Sequence, residues 1–166
     1  MRLSTISLLI LLVATTISAT AQSKRFISKD CGFRVAVPNG WTMKATDPKQ
    51  CTFSLVSPDA DNKKVEFSIK KDTVEQGEKD LGFEIDEGKW VLKGDQNADA
   101  ESIDSPSWKG LIATLGQDES SSNSDHETRV LLTSLKGRIA EFIGHIGQDR
   151  LEGFVNGFEF LSEPAS

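Results

Sequence analysis

The sequence has few of the side chains that build catalytic and recognition sites. It contains no tyrosine, two histidines and two cysteines among its 166 residues. Two histidines leave little material for a multi-histidine metal centre, and no serine lies in the Gly-x-Ser-x-Gly pattern of a nucleophile elbow. Because tyrosine is enriched where interfaces gain most of their binding energy, its absence counts against a large evolved recognition surface. We therefore expect no catalytic residues and no cofactor.

Excess positive charge and long apolar segments are also missing after the first 21 residues. The formal net charge of the chain is −6, and Arg2 is the only charged residue among the first 21, so the remainder carries −7. An acidic chain is unsuited to nucleic acid and anionic membranes, which attract clustered lysine and arginine. No later segment approaches the ~20 apolar residues of a transmembrane helix. We expect no nucleic-acid partner and no transmembrane segment in the mature chain.

The first 21 residues have the pattern of a secretory signal peptide. Arg2 supplies a positive start, residues 6–17 form a nearly unbroken apolar run, and Ala19 and Ala21 are the small residues that precede a cleavage site. Residues 19–23 contain no cysteine for lipid attachment, and no twin arginine precedes the run. The pattern predicts cleavage after Ala21, a single mature domain over residues 22–166, and a periplasmic or secreted location.

Cys31 and Cys51 both lie in the predicted mature chain, in a compartment that permits disulfides. A bridge between them would close a loop of about 20 residues and contribute roughly 3 kcal/mol. The alternatives are a reactive pair of free thiols or half of a zinc site, for which only His126 and His145 could supply the other ligands. We favour the disulfide because the compartment favours it.

Apolar alternation and short apolar runs predict a set of strands. They lie at residues 33–37, 52–57, 65–69, 108–115, 129–135 and 138–146. The polar turn at residues 59–64 predicts an antiparallel hairpin between the second and third strands, and Lys136 with Gly137 predicts another between the last two. If the strands that follow Cys31 and Cys51 lie in one sheet, the two cysteines can approach bonding distance.

Two segments indicate helices. A broken helix is expected over residues 80–91, from the spacing of Leu81, Ile85 and Trp90. A C-terminal helix is expected to begin at Gln148 or Asp149, with an apolar stripe formed by Leu151, Phe154, Val155 and Phe158. Residues 95–106 and 117–126 read as polar loops. This order predicts an α+β domain with a mainly antiparallel sheet, flanked by helices, and the C-terminal helix packed on that sheet.

Both ends of the predicted domain resemble PsbP-like and DcrB-like proteins. From Asp30 the chain runs through an aromatic strand that begins at Phe33 into the turn Pro38-Asn39-Gly40-Trp41, the opening of that group. Residues 154–161 are similar to the helix and closing segment of the group. The resemblance implies a PsbP-like sandwich, in which helices flank a central antiparallel sheet, and a small accessory or binding protein. The group has no common catalytic residues, and fold does not fix function.

One acidic segment is a candidate metal site. Alternating oxygen ligands, as in a calcium loop, are offered by Asp95, Asn97, Asp99 and Glu101. Ala100 stands where the EF-hand loop needs glycine, and Pro106 stands where it needs a bidentate glutamate. We therefore interpret the segment as a solvated loop and expect no metal.

The two histidines are candidates for a general base or a metal ligand. His126 ends a serine-rich loop in an acidic cluster, with Asp118, Glu119, Asp125 and Glu127. His145 lies on the last predicted strand, with Glu141. General-base catalysis needs an oriented partner and a nucleophile, which neither context supplies from sequence alone. We interpret both histidines as structural or solvent-exposed.

The three tryptophans are either core residues or ligand contacts. Trp41 and Trp108 adjoin predicted strands and are expected in the core. Trp90 lies in the less regular segment and is the candidate ligand-binding residue.

The leading functional hypothesis is an exported, non-enzymatic accessory or binding protein of the cell envelope or secreted space, with an envelope or secreted protein as its partner. The alternative is a metal-dependent or hydrolytic enzyme that uses His126 or His145 with nearby carboxylates.

Overall fold

A computed structural model describes residues 24–58, 63–94, 96–116 and 126–162. The two helices are α1 (Val74–Leu81) and α2 (Gln148–Val155). The strands are β1 (Lys24–Ser28), β2 (Phe33–Val37), β3 (Thr42–Asp47), β4 (Thr52–Val56), β5 (Lys64–Lys70), β6 (Phe83–Asp86), β7 (Lys89–Leu92), β8 (Ala98–Asp99), β9 (Glu101–Ser105), β10 (Trp108–Leu115), β11 (Glu127–Ser134), β12 (Ile139–Gly144) and β13 (Phe158–Phe160). The signal peptide predicted over residues 1–21 lies outside the described residues.

The described strands form three antiparallel sheets, which agrees with the predicted α+β class. The main sheet has seven strands in the order β3-β4-β5-β12-β11-β10-β9. The terminal sheet has the order β1-β2-β13, and the insert sheet has the order β6-β7-β8. Every pairing among these strands is antiparallel.

The two faces of the main sheet carry separate hydrophobic cores, because alternate side chains of a strand point to opposite faces. On the inner face, Phe67 and Phe142 pack with Phe33 of the terminal sheet and with Phe154 of α2 in one cluster. On the outer face, a second cluster joins the main sheet to Leu81 of α1 and to the insert sheet. The indole N–H of the fully buried Trp108 donates a hydrogen bond to the carbonyl of Phe158 at 2.9 Å, which links the main and terminal sheets.

The sequence located most of the main sheet. β2, β5 and β10 occupy the predicted segments, and the two predicted hairpins are present as the antiparallel pairs β4-β5 and β11-β12. It missed β1 and β3, which form an edge of the terminal sheet and an edge of the main sheet. Edge strands need only one buried face and one partner, so their polar composition gives a weak local signal.

The prediction of a broken helix over residues 80–91 is wrong. The helix lies earlier: Thr73 caps its N-terminus by accepting a hydrogen bond from the backbone N–H of Gln76, and Gly82 ends it with φ of +79°. β6 and β7 then form a hairpin around Glu87 and Gly88, both of which have positive φ, as a type I′ turn requires.

The segment predicted as an acidic loop over residues 95–106 is also different. β8 adds to the insert sheet and β9 forms an edge of the main sheet. Hydrogen bonds to a neighbouring strand hold each of these polar segments in the extended conformation, although the local sequence does not favour a strand.

α2 begins at Gln148, as predicted, but it ends before Phe158. A turn at Asn156 and Gly157 separates the helix from β13, where Phe158 pairs with Val35 of β2. Phe158 is still buried in the inner core, but it packs there as a residue of β13 and not as part of the apolar stripe of α2.

The predicted disulfide between Cys31 and Cys51 is present, with the two Cα atoms 5.6 Å apart. The strands that follow the two cysteines do not share a sheet: β2 belongs to the terminal sheet and β4 to the main sheet. The bridge therefore ties the two sheets of the inner core together.

Candidate functional site

A cleft of about 390 Å³ lies between the turn that follows β2 and the helix α2. We call it the turn–helix cleft. Its lining residues come from three distant parts of the chain: Pro38, Asn39, Trp41, Leu55, Pro58, Ile146, Arg150, Gly153 and Phe154. A volume of this size falls in the range of small-molecule sites, which is about 300–1,000 Å³.

The turn holds Trp41 at the edge of the inner core. Pro38 stops β2, and its carbonyl accepts a hydrogen bond from the backbone N–H of Trp41 at 3.1 Å. Gly40 has φ of +80°, and a Cβ at this position would lie 3.0 Å from Cγ of Pro58. Only glycine combines this backbone conformation with such a close approach. Trp41 is consequently half-buried and packs against the core cluster.

A buried polar network attaches the start of α2 to the main sheet. Gly147 at the N-cap offers no side-chain cap. Instead, the hydroxyls of Thr114 and Thr128 lie 2.9 Å apart, and Thr128 donates to the carbonyl of Ile146 at 2.7 Å. The side chain of Gln148 lies 3.3 Å from the Thr114 hydroxyl. This network fixes the helix that carries Arg150 and the other cleft residues of α2.

The turn–helix cleft combines a buried apolar floor with one charged group. Leu55, Ile146 and Phe154 are each no more than 3% exposed. Arg150 is exposed and is the one charged side chain that lines the cleft in the described part of the chain. Among the described residues, no carboxylate, histidine, cysteine or serine lines it. An apolar floor beside one cation is suited to holding a small ligand.

A larger cavity of about 490 Å³ lies beside the disulfide and is rich in basic residues. Two of its cations already have partners. Lys70 forms ion pairs with Glu141 at 2.7 Å and Asp80 at 3.1 Å. Arg138 donates to the carbonyl of Leu161 and stacks over the ring of Phe160, 5.2 Å from its centroid. These contacts give both side chains a structural role.

The charges around Lys70 shift one another's protonation. Burial raises the pKa of Glu141, although the hydrogen bond and the charge of Lys70 act in the opposite direction. Burial acts to lower the pKa of Lys70, but its hydrogen bonds to Glu141 and Asp80 and their charges together raise it. Hydrogen bonds from Gln76 and Lys70 lower the pKa of Asp80. The group is a structural ion-pair network on the outer face of the main sheet.

Trp90, the residue predicted to contact a ligand, lies on β7 opposite Ile85. It is half-buried, packs against the outer core, and lines a small cavity of about 160 Å³ with Val74 and Glu78. Burial, followed by the charge of Glu75, raises the pKa of Glu78. The cavity is smaller than ordinary ligand sites.

The residues considered for calcium are distributed over two sheets. Asp95 lies outside the described residues, and Asn97 is exposed. Asp99 pairs with Val91 in the insert sheet, whereas Glu101 pairs with Ile112 in the main sheet. Within the described ranges, no three histidine, cysteine, aspartate or glutamate side chains are grouped to hold a metal ion.

The histidines lie at the same end of the β11-β12 pair, and neither lines the cavities described above. Nδ1 of His126 is buried without a hydrogen-bond partner among the described residues, and His145 is exposed. The acidic residues predicted near His126 at positions 118, 119 and 125 lie outside the described residues.

Sequence reasoning did not identify the turn–helix cleft. It placed Trp41 in the core, where one face of the side chain does pack, and it did not consider Arg150. A tryptophan after a Pro-x-Gly turn was the one available signal. The sequence contains no local signal for Arg150, because its proximity to residues 38–41 depends on tertiary packing.

Solved structures similar to this chain include two proteins of low sequence identity. The PsbP (CyanoP) of Synechocystis sp. PCC 6803 is 12% identical in sequence and has a TM-score of 0.49. The match covers 89% of this chain and 98% of the PsbP chain. A protein from Bacteroides thetaiotaomicron VPI-5482 is 14% identical, covers 86% of this chain and has a TM-score of 0.48. This chain spans 50% of the length of the Bacteroides protein.

A PsbP is thus among the matches, as the resemblance of the two chain ends implied. A likeness at these identities concerns the fold alone. No protein-family model and no curated protein matches the sequence. Neither described helix is long and apolar enough to cross a membrane.

Proposed function

We propose that this chain is an exported, non-enzymatic accessory or binding protein of the cell envelope or secreted space, and that the turn–helix cleft is its binding site. The observation that carries the proposal is the composition of the cleft. A buried apolar floor, a tryptophan edge and one arginine meet in a volume suited to a small ligand. Of the residues that the structure describes, none that lines it could act as a nucleophile or general base.

The alternative of a metal-dependent or hydrolytic enzyme has less support. His126 and His145 do not line the turn–helix cleft. The acidic residues of the outer face, Glu141 and Asp80, already pair with Lys70.

The proposal includes export and a single mature domain over residues 22–166, arranged as the PsbP-like sandwich that the resemblance implies. The disulfide supports export, because such bonds persist in oxidising compartments. We expect non-reducing mass spectrometry of the exported protein to give an N-terminus at Gln22 and no free thiol. An exported chain that retains residues 1–21, or that carries two free thiols, contradicts this part of the proposal.

A substitution that fills the cleft tests its role. Gly153 lines the cleft, and a Cβ at this position would meet nothing within 4 Å. We expect Gly153→Leu to leave the fold intact and to abolish the shifts that small neutral apolar molecules, such as indole, induce in the NMR signals of cleft residues. Glu152→Leu, on the same helix but outside the cleft, is the control and should retain them. No shift at cleft residues in the unmodified protein contradicts the assignment.

A further inference from the structure

We propose that the turn–helix cleft selects small amphipathic carboxylates: the apolar body packs on the floor of the cleft, and Arg150 binds the carboxylate. This inference rests on the proposed function, which it narrows to one chemical class. Leu55, Ile146 and Phe154 form the floor, and Trp41 forms one edge.

Arg150 lies where it can bind the carboxylate of such a ligand. Arg150 and Phe154 are four residues apart on α2, so their side chains are neighbours on the same helical face. A ligand that packs against Phe154 therefore has the guanidinium within reach along the helix. The apolar and cationic parts of the site are adjacent rather than mixed.

The guanidinium of Arg150 is available. Arg34 pairs with Glu159, Arg129 pairs with Glu127, and Arg138 binds the carbonyl of Leu161. No ion pair or side-chain hydrogen bond engages Arg150 in the part of the chain that the structure describes. An unpaired arginine beside an apolar cleft attracts an anionic group that has an apolar body.

A single guanidinium on an acidic chain favours a singly charged carboxylate over a more highly charged anion. A guanidinium presents two parallel N–H donors that match the two oxygens of a carboxylate. A phosphate carries more charge and more acceptor oxygens than one guanidinium can satisfy. The overall negative charge of the chain also weakens the attraction of multiply charged anions.

The three tryptophans allow a site-resolved test, because each reports on a different region. Trp41 lines the turn–helix cleft, Trp90 lines the small cavity beside α1, and Trp108 is fully buried. We would titrate the ¹⁵N-labelled full chain with octanoate and, separately, with uncharged octanamide, and follow the three indole N–H signals. We expect octanoate to shift the Trp41 signal with a Kd about fivefold lower than that of octanamide.

Two variants separate the contribution of the Arg150 charge from that of the net charge of the chain. Arg150→Gln should raise the Kd for octanoate about fivefold and leave the Kd for octanamide unchanged. Arg25→Gln removes the same charge from β1, which contributes nothing to the cleft, and should change neither.

The outcomes separate this inference from the proposed function. Equal binding of octanoate and octanamide at Trp41 overturns the selection of carboxylates but retains a binding cleft. Shifts confined to Trp90, or the absence of shifts with either molecule, overturn both. An equal loss of octanoate binding in Arg150→Gln and Arg25→Gln shows a general charge effect and also overturns the role of Arg150.

Discussion

Glu141 is a buried carboxylate at the centre of the main sheet. Only 8% of its surface is exposed, and its Oε1 atom has no hydrogen-bond partner among the described residues. Lys70 binds the other oxygen at 2.7 Å and is the cation that compensates this charge. A buried charge that loses its partner is strongly destabilising, so Lys70 matters more to the fold than an exposed lysine does.

We expect Lys70→Met to lower the free energy of unfolding by roughly 2 kcal/mol at pH 7, because it leaves the Glu141 carboxylate uncompensated. The deficit should shrink at pH 4. Burial raises the pKa of Glu141 in the folded state, and removal of Lys70 raises it further. A carboxyl group of this kind favours folding while it is protonated, and that contribution is lost as the pH rises through the folded-state pKa.

Urea denaturation of the variant at the two pH values measures both effects. Lys64→Met is the matched control, since Lys64 pairs with Glu66 on the surface, where the side chains are 44% and 56% exposed. An exposed pair of this kind contributes less than about 1 kcal/mol. Equal deficits of Lys70→Met at pH 4 and pH 7 contradict the role assigned to Glu141.

At the scale of elements, α1 lies against the main sheet at Gly77. A Cβ at this position would lie 2.8 Å from Cδ1 of Ile139 and 2.9 Å from Cδ1 of Leu131, both on the outer face of the sheet. The helix approaches the sheet this closely because position 77 has no side chain. Gly153 of α2, by contrast, has open space around it.

The two glycines therefore predict opposite effects of the same substitution. Gly77→Ala should destabilise the protein by about 1 kcal/mol, since overpacking of about 1–3 kcal/mol exceeds a helix-propensity gain of about 1 kcal/mol. Gly153→Ala should stabilise it by about 0.5–1 kcal/mol, because only the propensity gain remains. Thermal denaturation compares the two variants. Stabilisation by both would show that α1 shifts away from the sheet without cost.

The elements also show where local sequence was sufficient. β2 was predicted because Phe33, Val35 and Val37 alternate with partly exposed residues in a strand flanked on both sides. The spacing of Leu81 and Ile85 fits a helical turn, and it therefore predicts a helix where the structure has the hairpin of β6 and β7. Its real determinants are the left-handed Gly82 and the turn at Gly88, which no apolar periodicity records.

The turn–helix cleft could be predicted less well than the sheets. Its floor residues were recognisable as apolar, and the Pro38 turn was located correctly. The contact between that turn and α2 depends on how the terminal and main sheets pack, which a reading of local patterns does not contain. The same limit applies to Glu141, whose burial follows from the docking of α1 at Gly77.

At the scale of the whole molecule, the disulfide couples two sheets that share one core. It joins the residues that precede β2 and β4, and Cys51 lies in the left-handed region with φ of +52°. Non-glycine residues rarely adopt this conformation. The bridge restrains the connecting segment, which contains the turn that forms one side of the cleft.

Replacement of both cysteines by serine should lower the free energy of unfolding by roughly 2–4 kcal/mol, since the bridge no longer restrains the unfolded chain. The fold should remain, because the aromatic core does not depend on the sulfur atoms. Urea denaturation, together with far-ultraviolet circular dichroism, measures both. Reduction of the unmodified protein should give a similar loss. A loss below about 1 kcal/mol in both cases contradicts the contribution assigned to the bridge.

The position of β13 determines when the chain can finish folding. Glu159 of β13 bonds to Arg34 of β2, 125 residues away. At a synthesis rate of roughly 5–20 residues per second, the ribosome completes β13 on the order of 10 seconds after β2. Until then β2 has an open edge, and the inner face of the main sheet lacks part of its cover. The topology thus delays the native state until β13 has been synthesised, and under the export that we propose the nascent chain would reach the membrane incompletely folded.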